Sequence, residues 1–221
     1  MVNALERIAD PEGFMLDPSL RLYVPLWKRD GNSFMSDDAY GHLCTVTGAP
    51  WKLQGRDFDG IDDYVDVSNP SIFALQKLTI RVWFGGTLTN TGALVSKKNS
   101  AIRWSYILKI REGKLMASVL YTDGSTSTDV ASAVLPVGNH QGVLTYDGNW
   151  ERLYLNGVLV NSAQIGAQTI PYAVENVQLG RSYYNGWTYA KCNLGEVDIC
   201  SQALTAQEIL DHYIETKWRY Q

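Results

Sequence analysis

The sequence predicts an all-β protein, an antiparallel sandwich that ends in one short helix. Three observations support this fold class. The stretch from Gly142 to Val160 has the pattern of consecutive strands joined by tight turns. More than ten short β-runs recur along the 221 residues. A helical pattern with a start signal occurs only after residue 204.

The stretch 142–160 carries the clearest local signals. Val143 to Tyr146 are residues that favour β-strands, Asp147-Gly148-Asn149 is typical of a turn, and Leu153 to Leu155 again favour a strand. Asn156-Gly157 tolerates positive φ at both central positions of a type I′ turn, whose twist matches paired antiparallel strands. The pattern therefore predicts a tight hairpin into a returning strand at Val158 to Val160.

Residues 1–18 are predicted to form an N-terminal arm, and residues 19–221 form the sandwich domain. Pro11, Gly13 and Pro18 interrupt a short helical pattern in the arm. Such a segment either docks on another surface or is a disordered terminus.

The other β-runs are short and bounded by turn residues, as expected of strands in a sandwich. They are Leu20–Trp27, Thr45–Thr47, Tyr64–Val67, Leu78–Phe84, Ala93–Ser96, Ser105–Ile110, Leu115–Tyr121, Val177–Gly180 and Leu194–Cys200.

The predicted helix begins after Thr205. Thr205 can act as the N-cap and Glu208 is the matching partner of a capping box. Ile209, Leu210 and Tyr213 then form an apolar stripe at helical spacing, which predicts one face packed on the sandwich.

Charge and hydropathy exclude several classes of partner. The formal net charge is −4 without a cluster of basic residues, which argues against nucleic acid as a partner. No run of about eighteen apolar residues occurs, so no membrane insertion is expected. The first twenty residues lack the basic start and apolar core of a signal peptide.

The three cysteines do not show the spacing of a zinc or redox site. Cys192 and Cys200 lie on one extended run and would be roughly 26 Å apart, too far for a disulfide. Buried thiols are expected, and a pair between Cys44 and either of the others stays open.

Several segments together resemble the laminin G-like, pentraxin-like group of the concanavalin A-like jelly rolls. The resemblance covers roughly residues 20–213 and implies two curved antiparallel sheets with ligand sites on a concave face or in edge loops. Its segments are Phe58-Asp59-Gly60-Ile61-Asp62-Asp63-Tyr64-Val65, Leu78-Thr79-Ile80-Arg81-Val82-Trp83, Leu144-Thr145-Tyr146-Asp147-Gly148, Leu153-Tyr154-Leu155-Asn156-Gly157, Leu194-Gly195-Glu196-Val197-Asp198 and Ala203-Leu204-Thr205-Ala206-Gln207-Glu208-Ile209.

The resemblance also implies that a structural calcium is common in this group. Calcium prefers six to eight hard oxygen ligands, and carboxylates at a tight turn supply several. Asp59, Asp62 and Asp198 are the candidate ligands, with Asp63 in reserve. The alternative is that Asp59 caps the turn while Asp62 and Asp63 are solvated.

The run Glu196-Val197-Asp198-Ile199-Cys200 bears on catalysis. Retaining glucanases of the same superfold carry carboxylates at three alternate strand positions, two of them lying ~5 to 5.5 Å apart as nucleophile and acid/base. Cys200 occupies the third position here, and a thiol is a poor substitute for the carboxylic acid. The sequence therefore predicts a protein that is not an enzyme.

The loop from Arg181 to Ala190 suggests a ligand surface. Tyr183, Tyr184, Asn185 and Trp187 combine flat apolar faces with polar groups, which suits stacking on sugar rings. The same side chains could instead pack across the rim of the sandwich.

Two functions are compatible with these features. The first is a non-catalytic recognition module that binds a glycan or cell-surface polysaccharide. The second is a structural virion protein, such as a phage decoration or fibre, whose arm binds other virion subunits or a second copy. The expected location is a virion surface or the extracellular space.

Overall fold

A computed structural model describes residues 17–68, 70–86, 88, 91–98, 104–122, 129–183 and 187–221. Of the predicted arm, Asp17 and Pro18 are described and residues 1–16 lie outside the described part. Asp17 accepts a hydrogen bond from the Ser19 backbone N–H at 2.8 Å, where the first strand begins. Among these described residues, no helix is long and apolar enough to cross a membrane.

The described chain contains eighteen strands, one α-helix and two short 3-10 helices, Pro70–Phe73 and Lys217–Arg219. The first nine strands are β1 (Leu20–Pro25), β2 (Ser33–Met35), β3 (Leu43–Thr47), β4 (Trp51–Lys52), β5 (Gly55–Asp59), β6 (Tyr64–Val67), β7 (Leu78–Gly85), β8 (Gly92–Lys98) and β9 (Trp104–Arg111). The others are β10 (Lys114–Val119), β11 (Val130–Val134), β12 (His140–Tyr146), β13 (Trp150–Leu155), β14 (Val158–Gln164), β15 (Val177–Leu179), β16 (Arg181–Tyr183), β17 (Trp187–Tyr189) and β18 (Lys191–Cys200), and the helix is α1 (Ala206–Thr216).

Two eight-stranded antiparallel sheets form the sandwich. The first has the order β14-β13-β12-β7-β18-β5-β4, and β1 also pairs with β18. The second has the order β11-β10-β9-β8-β15-β6-β3-β2. A two-stranded hairpin, β16-β17, is separate from both. The predicted all-β jelly-roll sandwich with one C-terminal helix is confirmed.

The core lies between the two sheets, and strand alternation decides which side chains enter it. On β6, Val65 and Val67 are fully buried, whereas Tyr64 and Asp66 lie on the outer face and are partly exposed. Burying each such apolar side chain contributes about 1.5–3 kcal/mol. On β6 the outer face is thereby left for polar contacts.

The predicted Asn-Gly turn is confirmed. Asn156 and Gly157 have φ of +52° and +79°, as a type I′ turn requires. The turn joins β13 to β14, and a Cβ at Gly157 would lie 3.0 Å from Leu210 Cδ1, so α1 packs closely against it.

The predicted capping box is also confirmed. Thr205 Oγ1 accepts a hydrogen bond from the Glu208 backbone N–H at 3.3 Å, and the Thr205 N–H donates to Glu208 Oε2 at 2.7 Å. The buried Ile209 packs with Val143 and Tyr154 on the outer face of the first sheet. The helix therefore covers part of that face.

Cys44, Cys192 and Cys200 are all buried, unpaired thiols. Cys44 therefore forms no disulfide with Cys192 or Cys200 in this fold. Burial raises the pKa of Cys44 to about 12, which keeps that thiol protonated and unreactive at neutral pH.

Candidate functional site

The predicted aromatic loop forms the β16-β17 hairpin, which packs against β8 on the outer face of the second sheet. Ser96 Oγ on β8 donates a hydrogen bond to the Arg181 carbonyl at 2.7 Å. Tyr183 lies on β16 opposite Trp187 on β17 and is partly exposed. Tyr184, Asn185 and the side chain of Trp187 lie outside the described part, so their positions stay predictions.

Cationic groups lie over two aromatic rings beside this hairpin. The Lys98 Nζ atom is 5.1 Å from the centre of the Tyr183 ring. The Arg181 guanidinium carbon is 3.2 Å from the centre of the Tyr64 ring on β6. Such contacts hold each ring by attraction between the cation and the aromatic face. The two tyrosine rings are therefore fixed on one face of the sheet.

A hydrogen-bond chain connects the same face. Asp66 accepts from Asn176 Nδ2 at 2.5 Å and from Gln178 Nε2 at 3.1 Å. Gln178 Oε1 in turn accepts from Arg181 Nε at 3.1 Å. The arrangement is a row of amide, carboxylate and guanidinium groups beside the two tyrosines, with Arg181 at one end lying on the Tyr64 ring. The row provides both donors and acceptors for a polar ligand.

The sequence pattern did not assign Tyr64, Asp66, Asn176 or Gln178 to this surface. The alternation on β6 placed Tyr64 and Asp66 on one side of the strand. It could not show that Gln178 is paired opposite Asp66, because that register joins β6 to β15, which lies 112 residues further along the chain.

The carboxylate-rich turn between β5 and β6 forms a second cluster. Oxygen atoms of Asp59, Asp62 and Asp63 all lie within 4.8 Å of one another. Asp59 Oδ1 accepts from the Ile61 N–H at 2.7 Å, and Asp63 Oδ2 accepts from the Asp59 N–H at 3.0 Å. Asp59 therefore organises the turn, as the capping alternative expected, but Asp63 is 5% exposed and so is not solvated as that alternative also expected. The cluster keeps other carboxylate oxygens for a cation.

A cleft of about 400 Å³ opens beside this turn. Its lining combines both charges with amide and apolar groups, among them Asp57, Phe58, Asp59, Asp63, Lys191 and Asn193. Hard oxygen donors at the edge of an accessible cleft are compatible with calcium.

Asp198 does not join the other two predicted ligands. Its Oδ1 and Oδ2 atoms accept from Arg81 Nε at 2.8 and 3.0 Å, in an ion pair whose carboxylate is 1% exposed. On β18, Lys191 is the residue opposite Asp59, so Asp198 lies seven residues, or roughly 23 Å, further along the strand. Of the predicted ligands, Asp59 and Asp62 therefore lie together with the reserve residue Asp63, and Asp198 lies apart from them.

The Glu196-Asp198-Cys200 series faces the outer side of the first sheet. Glu196 is 1% exposed and is paired with Arg219 at 2.9 Å, so it too lies in a closed ionic cluster. Burial raises the pKa of Cys200 to about 12, and the neighbouring Asp198 adds to the effect. A thiol with so high a pKa is a weak proton donor at neutral pH, which argues against a glucanase-type acid at this position.

The fold and the polar outer face define a lectin-like sandwich, and sequence comparison identifies its family. A laminin G family model, described as the Concanavalin A-like lectin/glucanases superfamily, matches residues 59–210. The chain belongs to this superfamily, as its motifs suggested. No curated protein sequence matches the chain.

Solved structures with the same fold include binding domains of botulinum neurotoxins. The serotype G binding domain superposes with a TM-score of 0.69 at 12% identity over 88% of this chain and 50% of that chain. The serotype DC domain in complex with SialylT gives 0.68 at 13% over 90% and 51%. The same domain in complex with rat synaptotagmin II gives 0.69 at 15% over 90% and 52%. This chain spans about half the length of these structures, and identities so low establish a shared fold alone.

Proposed function

We propose that this protein is a non-catalytic recognition module that binds carbohydrate on the outer face of the second sheet. The supporting observation is the row from Tyr64 through Asp66 and Gln178 to Arg181, which ends at Tyr183 on the hairpin. Aromatic faces stack on the apolar faces of sugar rings, and amide and carboxylate groups bind the hydroxyls. The predicted side chains Tyr184, Asn185 and Trp187 would extend this surface.

The structural neighbours add support for recognition without catalysis. The binding domain of the serotype DC neurotoxin, which has this fold, is in complex with SialylT in one structure and with synaptotagmin II in another, a glycan and a protein. Those ligands are properties of the neurotoxin domains. What they support here is that a sandwich of this shape can serve a binding role, with a glycan as the favoured class.

We test the proposal with an array of immobilised neutral, sulfated and sialylated glycans. Replacing Tyr183→Ala removes one stacking face, so the affinity for any glycan bound by the wild type should fall about tenfold. Tyr172→Ala is the matched control, because Tyr172 is 61% exposed and lies outside the hairpin and the polar row. Equal losses in both variants, or no glycan bound by the wild type, would contradict the proposal.

We further propose that Asp59, Asp62 and Asp63 hold a structural calcium ion beside the cleft. Their carboxylates suit calcium chemically, and backbone groups or water would complete the six to eight oxygens it requires. The ion would stabilise the β5–β6 turn next to Tyr64, the first residue of the polar row. Thermal unfolding with and without chelator tests this proposal.

A further inference from the structure

The outer face of the first sheet contains a slot that is filled by two residues of the segment 217–221. The Tyr220 ring stacks on Trp83, with ring centres 4.4 Å apart and an angle of 17° between the planes. Gly195 forms the floor, because a Cβ there would lie 2.2 Å from Tyr220 Cε1. The slot between Gly195 and the Trp83 indole therefore holds one aromatic ring, and the Tyr220 residue that fills it is 5% exposed.

Arg219 is bound beside the ring by charge and by stacking. Its Nη1 atom donates to Glu196 Oε2 at 2.9 Å, and its guanidinium lies 4.0 Å from the centre of the Trp27 ring. A buried carboxylate facing an indole recognises arginine better than lysine, because the planar guanidinium both pairs and stacks.

Two side-chain amides bind the backbone of the same segment. Asn139 Nδ2 donates to the Tyr220 carbonyl at 2.7 Å, and Gln54 Nε2 donates to the Arg219 carbonyl at 3.3 Å. Asn139 and Gln54 also contact each other at 3.3 Å. The slot is thus assembled from five separate segments of the chain, which together contact the side chains and carbonyls of two consecutive residues.

The contacts of the segment 217–221 differ from those of a strand or an ordinary packed helix. Its Lys217–Arg219 part is a single 3-10 turn, and Trp218, which directly precedes the two anchors Arg219 and Tyr220, is 66% exposed. The surface beneath it is charged, with Glu196 and Asp198 each 1% exposed. Covering the Glu196 carboxylate disfavours its charged form and raises its pKa to about 7, a cost that covering an apolar surface does not have.

We propose that this slot is a binding site for a peptide segment with an arginine followed by an aromatic residue. The chain's own Arg219-Tyr220 occupies it as a tethered ligand, which a segment of the same chemistry from another chain displaces. The site is separate from the glycan surface, since it lies on the other sheet.

The test uses a fluorescein-labelled peptide, Lys-Trp-Arg-Tyr-Gln, and the full chain with Arg219→Ala and Tyr220→Ala together. Removing both anchors leaves the slot empty, so this variant should bind the peptide at least about tenfold more tightly than the wild type, whose tethered ligand competes at an effective concentration of about millimolar. Gln221→Ala is the matched control and should behave as the wild type does, because the Gln221 side chain is exposed. A peptide with two alanines in place of Arg-Tyr should not bind.

A third substitution, Gly195→Ala in the double variant, should abolish peptide binding because the new Cβ fills the slot. Absence of binding by a double variant with wild-type circular dichroism, or binding that survives Gly195→Ala, would overturn the proposal. If the double variant does not fold, amide hydrogen exchange of the wild type, with and without excess peptide, tests whether the peptide displaces the segment 217–221. Excess peptide should speed exchange at residues 217–221 but leave β18 unchanged, and unaltered exchange would refute displacement.

Discussion

Gly180 connects the second sheet to the hairpin that carries Tyr183. Its φ of +82° lies in the left-handed region, and a Cβ there would approach Phe58 Cδ1 to 2.3 Å. The Gly180 N–H donates to the Leu94 carbonyl at 3.0 Å, and its own carbonyl accepts from the Ala190 N–H at 2.7 Å. The residue therefore joins β15 to β16 at a point where no side chain fits.

Replacing Gly180→Ala should lower the free energy of unfolding by about 2–5 kcal/mol. Positive φ costs an alanine roughly 1–2 kcal/mol, and overpacking against Phe58 adds about 1–3 kcal/mol. Urea denaturation measures the change. Gly31→Ala is the control, because the nearest atom to its added Cβ would be 3.5 Å away and its stability should hardly change. Equal stability of the two variants would contradict this account of Gly180.

At the scale of elements, the β5–β6 turn determines whether the carboxylates can act together. Asp59, Asp62 and Asp63 are close because a five-residue turn brings them together, so this part of the ligand set was predictable locally. Asp198 lies on β18, and its position depends on which strands β18 pairs with. Pairing with β7 sets it opposite Arg81, and the ion pair follows from that register.

Calcium at saturating concentration should raise the melting temperature by about 5–10 °C relative to chelator. Binding at a hundred times the dissociation constant contributes about 2.7 kcal/mol, and each kcal/mol shifts a chain of this size by about 2–4 °C. Asp62→Asn should remove most of the shift. Asp57→Asn, at an exposed carboxylate of the same cleft but outside the cluster, should retain it. A wild type that does not respond to calcium would rule out the site.

At the scale of the whole molecule, a closed ionic cluster joins the first sheet to α1 and the segment 217–221. Burial raises the pKa of Glu196 to about 7, and this effect outweighs the neighbouring Arg219 charge, which lowers the pKa. Burial also lowers the pKa of His212 on α1, helped by Arg81 and Arg219. The groups that face Glu196 in this cluster are Tyr23, Arg81, Asp198, His212, Arg219 and Tyr220.

The raised pKa of Glu196 and the lowered pKa of His212 change the stability of the fold in opposite directions as the pH changes. Because the folded pKa of Glu196 exceeds its ordinary 4.5, its contribution to stability is fully present below pH 4.5 and is lost as the pH rises through about 7. His212 has a depressed folded pKa, so its contribution is present above its ordinary 6.5 and falls in acid. Wild-type stability alone would mix the two effects.

Comparing the stability of the wild type with that of the Glu196→Gln variant at each pH isolates the effect of titrating the Glu196 carboxyl group. The wild type should gain stability relative to this variant as the pH falls from about 7 to about 5, because only the wild type takes up the proton. Chemical denaturation at each pH measures the difference. Glu112→Gln, with a side chain that is 73% exposed, is the control and should give a constant difference. A difference that grows toward pH 7 would mean that the charged Glu196–Arg219 pair dominates.

The sequence by itself determined the local elements and the family. Strand alternation, the Asn156-Gly157 turn and the Thr205-Glu208 capping box each need only a few neighbouring residues, so their physical cause lies within the window in which they are read. The ordered motifs then identified a lectin-like sandwich. The same local information placed Asp59 and Asp62 in one carboxylate-rich turn, with Asp63 in reserve.

The tertiary structure alone decided which distant residues meet. Asp66 meets Gln178 across β6 and β15, and Glu196 meets Arg219 under the segment 217–221. Asp198 is taken by Arg81, 117 residues away, and so leaves the predicted calcium set. Such pairs depend on strand register and on which faces pack against each other, and these are fixed by burial of the whole core. No short stretch of sequence contains that information.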